Sequence, residues 1–456
     1  MLKSVLPLSF IIGTRFFGLF IVLPVLSLYA LQLDGANEFL IGLLIGIYAL
    51  MQMLLQVPFG ILSDKIGRKK AMLLGLIIFI IGSAVCALAN DIWVMMIGRA
   101  LQGAGAIGAV ATALISDFIS EEQRSKAMAI MGAFIGLSFC LSMVLSPLLS
   151  EKFGLSSLFW LSAILTLLCI LLLFTIVPKE PTITAKSAKT PILQLLKQKN
   201  LALMNLTSFM QKMLISVAFF LIPLVFVERF ANAKDDLWLL YLGAMIVGFL
   251  AMGVAGALGE KRGLSKSLLL VGVGLFALAF MLVDFSFIAA FIAYQHATLI
   301  FIIAVVVFFA GFNLHEPIMQ SVASKFARAN ERGTALGVFN AFGYAGSFLG
   351  GVLSGLAWRY FDLLHLIIIV FVLSCVWFVL LCFLKSPSDF KNLYLPIDAS
   401  FDNANTDFDS SNASFESALS SHKGIVEIYT NSTQLVIKYD SKIIDEKALK
   451  SLLKLD

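Results

Sequence analysis

The sequence predicts an all-α polytopic membrane protein, with twelve transmembrane helices in two six-helix halves, followed by a small α+β domain. The first observation is composition: of 456 residues, 60% are hydrophobic and 13% are charged, and the mean hydropathy is +0.95. A soluble domain is about half apolar and about a quarter charged. The second is the recurrence of apolar runs long enough to cross a bilayer. The third is a return to soluble composition after residue 385.

Twelve apolar runs fall into two groups of six, separated by a polar linker that carries five lysines. These runs exclude an ordinary soluble enzyme, and their lack of strict alternation excludes an outer-membrane barrel. We predict an N-terminal half at 1–178, a linker at 179–200, a C-terminal half at 201–385 and a soluble domain at 386–456. The predicted spans lie at residues 5–32, 39–62, 71–89, 93–116, 126–149, 157–177, 201–227, 237–258, 267–292, 298–323, 334–357 and 363–384.

Lysine and arginine are unequally divided between the predicted loops. The loops after spans 2, 4, 6, 8 and 10, counted together with Lys126 at the start of span 5, hold 17 of them, whereas the loops after the odd-numbered spans hold 4. Basic loops stay on the cytoplasmic side of a membrane. The sequence therefore predicts a multi-pass protein of a bacterial inner membrane, with both termini and the linker in the cytoplasm and the lipid bilayer as its first partner.

The last segment has its own charge balance and its own pattern. Residues 386–456 hold 7 Lys and Arg against 11 Asp and Glu, whereas residues 1–385 hold 26 against 17. The predicted order β-α-β-β-α resembles a ferredoxin-like module that lacks one strand. A core of this size is marginal, so we expect the tail to dock or self-associate on a monomeric protein. The predicted elements are Leu393–Ile397, Ser410–Ser420, Ile425–Tyr429, Gln434–Tyr439 and Glu446–Leu455.

Several functional classes lack their sequence signals. The five cysteines lie singly in apolar runs and the four histidines form no cluster, so the pattern predicts neither a metal site nor a disulfide framework. The first apolar run is too long for a signal-peptide core. No Walker-type phosphate loop is present, which argues against ATP-driven pumping. We expect no catalytic residue, no cofactor and no nucleic-acid partner.

The segment between spans 2 and 3 has the most specific pattern in the chain. Gly60 and Gly67 permit a tight turn, Arg68 belongs to a basic cluster, and Asp64 is an acid at the membrane edge. The pattern recurs 196 residues later in the second half, for example at Gly263. Two such parallel halves are typical of transporters that rock about a central site.

This loop resembles the signature loop of the major facilitator superfamily. Arg99, Gln102 and the glycines after them resemble a second signature, that of the drug:proton antiporter branch. Span 5 matches that branch's glycine-rich signature only in part, through Gly132, Gly136 and Pro147. The resemblance covers all spans and the tail, and it implies alternating access with spans 1, 4, 7 and 10 lining the cavity.

The resemblance also implies that the signature loop is a gate. We expect Asp64 and Arg68 to latch to Asp117 and to the start of span 11, near Gly333, when the cavity faces outward. Gly60 and Gly67 belong to the same expected gate. The alternative is that Asp64 is a solvated loop acid.

Ionisable residues within apolar spans usually face a partner or an aqueous path, and four of those in the predicted spans are the candidates here. They are Arg15, Arg99, Lys212 and Glu316. Glu316 is the carboxylate that we expect to exchange protons, because poor solvation favours a neutral acid and an approaching cation favours the ionised one. Arg99 is its expected partner across the cavity. Structural roles within the bundle are the alternative for all four.

Polar side chains within the spans are the candidates for the substrate cavity. The preferred function is export of small amphipathic compounds or drugs, coupled to a proton gradient as the energy source. Uptake of a sugar or another nutrient by a symporter or uniporter is the first alternative, and a membrane sensor or scaffold is the second. The predicted cavity residues are Arg15, Gln52, Gln56, Gln102, Gln211, Lys212, Asn313 and Tyr344.

Overall fold

The computed structural model of the chain describes residues 2–119, 121–180, 195–230, 236–259, 262–289, 294–327, 332–361, 363–396, 422, 424–430 and 434–452. Within these residues, 12 helices are long and apolar enough to cross a membrane. The fold class predicted from the sequence is therefore confirmed.

Both halves contain six spans, and two of the twelve are interrupted. Spans 1 and 4 each consist of two helices, and span 7 ends in a π-helical turn, Val225–Arg229. The helices are Leu2–Phe20 with Leu23–Ala30, Glu38–Ile66, Arg68–Ala87, Ile92–Ala104 with Gly108–Asp117, Glu121–Phe153, Leu155–Thr175, Lys199–Leu224, Leu237–Gly259, Ser265–Ala289, Tyr294–Phe326, Arg332–Tyr360 and Leu363–Cys382.

Local sequence explains where several helices start and stop. Pro24 lies in the first turn of the second helix of span 1, where proline's missing N–H costs no helical hydrogen bond. The Asn37 side chain accepts a hydrogen bond from the Leu40 N–H at 3.0 Å and so caps span 2. Gly67 has φ +97°, a conformation that favours glycine, and it turns the chain directly from span 2 into span 3.

The two halves meet closely at one end of the bundle. A Cβ on Gly42 of span 2 would lie 2.3 Å from the Gly351 carbonyl oxygen of span 11, so only glycine permits this approach. The Ser27 hydroxyl donates to the Phe219 carbonyl at 3.3 Å, which joins spans 1 and 7. We call this the closed end; the Gly67 turn lies at the opposite end.

At the Gly67 end, the glycines of the same two spans make no such contact. A Cβ on Gly60 of span 2 or on Gly333 or Gly337 of span 11 would meet no described atom within 4 Å. Among the described residues, the close approach of spans 2 and 11 is therefore found at the closed end and not at these three glycines.

The tail forms a three-stranded antiparallel sheet of order β1-β3-β2, with a helix after it. Its core contains Leu393, Ile437, Tyr439 and Leu449. The three predicted strands and the last helix are confirmed; the predicted helix Ser410–Ser420 lies outside the described residues, so the full ferredoxin-like order stays a prediction. The observed elements are β1 (Phe390–Pro396), β2 (Ile425–Thr430), β3 (Gln434–Asp440) and the helix Glu446–Leu452.

The sheet docks on the Gly67 end of the C-terminal half. The buried Lys438 of β3 donates to the carbonyl oxygens of Lys325, at 2.5 Å, and Ala327, at 3.0 Å, which end span 10. Phe390 of β1 packs edge-on against Phe326 of span 10, with ring centroids 5.7 Å apart. The Lys438 ammonium is thus a cation at a helix C-terminus, where it interacts favourably with the helix dipole. Elsewhere beside the sheet, a hydrogen bond to Asp389 and the charge of Asp389 raise the pKa of the exposed Lys442.

Candidate substrate and coupling site

The predicted gate residues contact one another. Arg68 starts span 3, and its guanidinium lies 2.6 Å from the Asp64 carboxylate one turn earlier in the chain and 3.3 Å from the Asp117 carboxylate at the end of span 4. It also donates to the Ser63 hydroxyl at 2.5 Å. The sequence thus anticipated the Arg68–Asp64–Asp117 cluster, whereas the Ser63 contact was missed.

The expected contact between this cluster and span 11 is absent among the described atoms. A Cβ on Gly333 would meet no described atom within 4 Å, and the same holds for Gly60. The expectation applied to the state in which this end of the bundle is closed, so the gate stays a prediction.

A carboxylate that sequence reasoning missed also holds this turn. Glu180, which follows span 6, accepts a hydrogen bond from the Lys69 backbone N–H at 3.0 Å. A carboxylate at a helix N-terminus satisfies free N–H groups and interacts favourably with the helix dipole. The Lys69 ammonium in turn donates to the Val177 carbonyl at 2.6 Å. Glu180 was the last acid before a lysine-rich linker, a weak signal.

Arg99 of span 4 is fully buried in the N-terminal half. Its guanidinium donates to the Gln102 side-chain oxygen at 2.9 Å, and its Cζ lies 4.9 Å from the centre of the Tyr48 ring. Gln102 donates onward to the Ser83 hydroxyl at 2.8 Å. Residues 99 and 102 lie one turn apart on one helix face, which is why the signature spacing brings them together.

Arg15 of span 1 also lies beside Tyr48. It donates to the carbonyl oxygens of Gln102, at 3.1 Å, and Gly105, at 3.3 Å. These carbonyls are exposed to it because span 4 is interrupted after Ala104. Its Cζ lies 4.1 Å from the Phe79 ring centre and 5.4 Å from the Tyr48 ring centre. Such contacts are favourable for a cation, and more so away from water.

In the C-terminal half, by contrast, the central charges form an ion pair. The Lys212 ammonium of span 7 donates to both carboxylate oxygens of Glu316 on span 10, at 3.0 and 2.9 Å. Gln211 donates to one of those oxygens at 3.1 Å. Lys212 also lies 5.1 Å from the Phe312 ring centre. Glu316 therefore accepts three hydrogen bonds, two from the Lys212 ammonium and one from the Gln211 amide.

The expected pairing of Glu316 with Arg99 is wrong for this structure. Spans 7 and 10 are neighbours within one half, so Lys212 reaches Glu316 directly, whereas Arg99 is enclosed by spans 2, 3 and 4. Sequence reasoning treated Lys212 as a cavity residue, with a structural role as its alternative. The pair could have been anticipated from two opposite charges in the same six-span repeat.

The remaining predicted cavity residues divide between the two halves. Gln52 donates to the Tyr48 hydroxyl at 3.1 Å, and Tyr344 is half-buried on span 11. The Asn313 side chain donates to the Phe309 carbonyl at 2.8 Å. Three buried amide oxygens have no partner among the described atoms, namely those of Gln56, Gln211 and Asn313. They are acceptors available to a ligand or water.

The predicted packing residues of span 5 behave differently from one another. A Cβ on Gly136 would meet the Met252 side chain of span 8 at 3.4 Å, so Gly136 contributes to the contact between halves. A Cβ on Gly132 would meet nothing described within 4 Å. Pro147 lies inside the span 5 helix.

An aromatic cluster missed by sequence reasoning joins the halves next to Lys212. Phe139 of span 5 is buried, and its ring centroid lies 5.0 Å from that of Phe20, 5.3 Å from that of Phe312 and 6.5 Å from that of Phe219. The chain contains 40 phenylalanines, so no single one could be selected from the sequence. Tyr48 was detectable, since it lies one turn before Gln52.

No group of three or more His, Cys, Asp or Glu side chains that could hold a metal ion occurs within the described residues. The polar groups of the site are instead amides, hydroxyls, two guanidiniums and one ammonium–carboxylate pair. This set offers hydrogen-bond donors and acceptors to charged organic groups.

The sequence profile of the Major Facilitator Superfamily matches residues 8–351 and 238–394. The chain belongs to this superfamily. It is 34% identical over 399 residues to the inner membrane transport protein YajR of Escherichia coli (strain K12), covering 86% of each chain. It is 28% identical over 368 residues to the class B tetracycline resistance protein of Escherichia coli, covering 74% of this chain and 84% of that protein. The solved D-xylose-proton symporter matches with a TM-score of 0.69 at 16% identity, over 84% of this chain and 98% of that one.

Membership of the superfamily confirms the resemblance drawn from the span 2–3 loop and from the Arg99 signature. The similarity to the symporter shows the fold alone. Members of this superfamily are transporters rather than enzymes, and they generally need no cofactor. The chain is therefore a multi-pass membrane transporter.

Proposed function

We propose that this transporter exports small amphipathic compounds across a bacterial inner membrane in exchange for protons, by alternating access. The observation that carries the proposal is the Lys212–Glu316 pair, an ionisable pair within two otherwise apolar spans. The similarity to a protein named for tetracycline resistance supports export. The similarity to a protein named for inner membrane transport supports the location.

In this proposal the Gly67 end faces the cytoplasm, because the basic loops lie there. The Gly67 end is then the entrance to an inward-open cavity, and the Gly42–Gly351 contact seals the outside. Asp64, Arg68 and Asp117 act as one half of the inner gate, and the start of span 11 is the other half. Asp64→Asn should cost this latch about 1–3 kcal/mol, a range typical of hydrogen bonds to charged groups, and should favour the inward-open state.

Proton exchange is assigned to Glu316. While Lys212 and Gln211 donate to it, the carboxylate form is favoured, and a cationic substrate group can compete for the same oxygens. When Lys212 moves away in a site closed to water, a lone carboxylate is costly, and it takes up a proton. Substrate and proton therefore alternate on one carboxylate, which is the simplest physical basis of antiport.

The test is Glu316→Gln, which keeps the shape and a hydrogen-bond acceptor but cannot lose a proton. In proteoliposomes with a pH gradient, neutral rhodamine dyes should still bind to this variant, cationic and amphoteric dyes should bind less tightly, and none of the three kinds should be driven across the membrane. Glu151→Gln is the matched control, since Glu151 is exposed at the end of span 5, and it should transport like the wild type.

Substrate-induced proton release from the purified protein provides the decisive readout. Equal proton release by wild type and Glu316→Gln would make Glu316 structural and move the coupling group elsewhere, to Asp64 or Asp117. Reversing the gradient in the same liposomes distinguishes export from uptake by symport, because a symporter moves dye in the direction of the protons.

A further inference from the structure

The charges at the centre of the bundle do not balance. In the C-terminal half, Lys212 and Glu316 neutralise each other. In the N-terminal half, Arg15 is 4% exposed and Arg99 is 0% exposed, and no carboxylate among the described residues contacts either one. Burying an unpaired charge is costly, and charged groups kept within a membrane usually serve a ligand or a path.

The two guanidiniums also retain unused donors. Nε of Arg15 and both Nε and Nη2 of Arg99 have no hydrogen-bond partner within the described residues. Their partners there are all neutral: the Gln102 side chain, two backbone carbonyls and the rings of Tyr48 and Phe79. These contacts hold the guanidiniums in place without cancelling their charge.

The cluster faces the other half of the molecule. Tyr48, whose ring contacts both guanidiniums, lies on span 2, and a Cβ on Gly46 of that span would lie 2.7 Å from the Phe348 carbonyl oxygen of span 11. Arg15 is the more exposed of the two arginines, so it is the one that would contact a ligand, and Arg99 adds positive charge nearby. The Phe139 cluster contacts the other charged site, because Phe312 packs on Phe139 and also lies beside Lys212.

We propose that Arg15, Arg99 and Tyr48 form a subsite for an anionic group of the substrate, a carboxylate or a sulfonate. Guanidinium groups bind planar oxyanions with paired donors and are more weakly hydrated than ammonium groups. The apolar body of the substrate lies on the Phe139 cluster. Combined with the proposed exchange at Glu316, on which this extension rests, the preferred substrates are amphoteric, with the anionic group toward Arg15 and the cationic group toward Glu316.

The test compares two probes that differ in one group. Rhodamine B carries a free carboxylate beside its cationic ring system, and in its ethyl ester that carboxylate is blocked. Equilibrium binding of each dye to the purified full-length protein is measured by fluorescence anisotropy at low ionic strength. We expect rhodamine B to bind about tenfold to a hundredfold more tightly than the ester, the factor expected for hydrogen bonds to a charged group.

The variants distinguish recognition of the dye carboxylate by the two arginines from a structural role of these arginines. Arg15→Gln should remove the preference for rhodamine B, Arg15→Lys should restore part of it, and Arg99→Gln should have a smaller effect. Arg359→Gln is the matched control, since Arg359 is exposed at the far end of span 11, and it should leave the preference unchanged. A structural role would weaken both dyes equally, so the ratio of the two affinities is the readout.

Equal binding of the two dyes to the wild type would overturn the proposal, and so would an unchanged preference in both Arg15→Gln and Arg99→Gln. If Arg15→Gln does not fold, the comparison of Arg15→Lys with Arg99→Gln decides the same question. Because the measurement is made without a membrane gradient, its outcome does not depend on proton coupling. A failure of the proposed antiport would appear only in the liposome assay.

Discussion

The two halves share one six-span design, but they handle central charge in opposite ways. The C-terminal half places Lys212 against Glu316 and leaves no net charge there. In the N-terminal half, every partner of Arg15 and Arg99 among the described residues is neutral. The two halves thus share the same helical arrangement, but the C-terminal half carries a titratable pair and the N-terminal half carries a fixed positive charge. The difference suggests that exchange and recognition are divided between the halves.

The same contrast appears where aqueous segments meet the bundle. In the N-terminal half, Glu180 accepts from the Lys69 N–H at the start of span 3. In the C-terminal half, Lys438 donates to carbonyls at the end of span 10. Each charge has the sign that the helix dipole favours at that terminus. Span 10 also carries Glu316, so the docked sheet holds one end of the helix that bears the proposed coupling residue.

The largest expected effect comes from breaking the pair in the C-terminal half. Lys212→Met leaves Glu316 without its cation, and removing one partner of a fully buried pair costs about 3–5 kcal/mol. Because the two side chains keep 30% and 35% exposure, we expect a loss of about 1–3 kcal/mol in the free energy of unfolding. Thermal unfolding of the purified protein measures it.

The double variant Lys212→Met with Glu316→Gln is the control, because it removes both charges. It should recover most of the lost stability, since an apolar or neutral replacement of an ion pair is often close to neutral. A double variant as unstable as Lys212→Met alone would show that the charge pairing is not what stabilises this site.

The second prediction concerns a carboxylate added to the N-terminal half, which would form an ion pair there like the one in the C-terminal half. Gln102→Glu is nearly isosteric and places a carboxylate 2.9 Å from the Arg99 guanidinium. Half of the uncompensated charge is then neutralised, so binding of rhodamine B should weaken about tenfold, or about 1.4 kcal/mol, while binding of its ethyl ester is unchanged. Gln56→Glu, on the neighbouring span 2, is a comparison that adds an acid away from the arginine contacts described above. Weakening of both dyes by Gln102→Glu would contradict the charge-based interpretation.

The third prediction concerns the cost of a lone buried cation. Arg99→Met removes the charge and retains an unbranched apolar stem, so the free protein should become more stable, by about 1 kcal/mol. Its binding of rhodamine B should fall at the same time, a trade of function for stability. Thermal unfolding with and without dye measures both effects. A less stable Arg99→Met would mean that the Tyr48 and Gln102 contacts outweigh the burial of the charge.

The sequence predicted the helical architecture more fully than it predicted the site. Spans follow from apolar length and orientation from loop charge, both local properties, and the Arg68–Asp117 contact followed from a loop motif of a known family. The partner of Glu316 could not be predicted from the sequence, because Arg99 and Lys212 are both single cations within apolar spans. Only the packing of span 7 against span 10 shows that Lys212 is the partner. Phe139 was hidden among many phenylalanines, since packing across the halves leaves no periodic signal.

The smallest expected effects lie at the two helix termini, where the halves are held by opposite charges. Lys438→Met removes a buried cation and its hydrogen bonds from the end of span 10 and should cost about 1–2 kcal/mol locally. Glu180→Gln keeps an acceptor for the Lys69 N–H and should cost only about 0.3–1 kcal/mol. Hydrogen exchange measures each terminus separately. Lys438→Met should speed exchange at the end of span 10 and leave span 3 unchanged, and Glu180→Gln should speed exchange at the start of span 3 and leave span 10 unchanged.

Lys391→Met, at an exposed position of β1, is the control. Equal exchange at span 10 in Lys438→Met and Lys391→Met would mean that the sheet rests on the C-terminal half without holding the helix that carries Glu316.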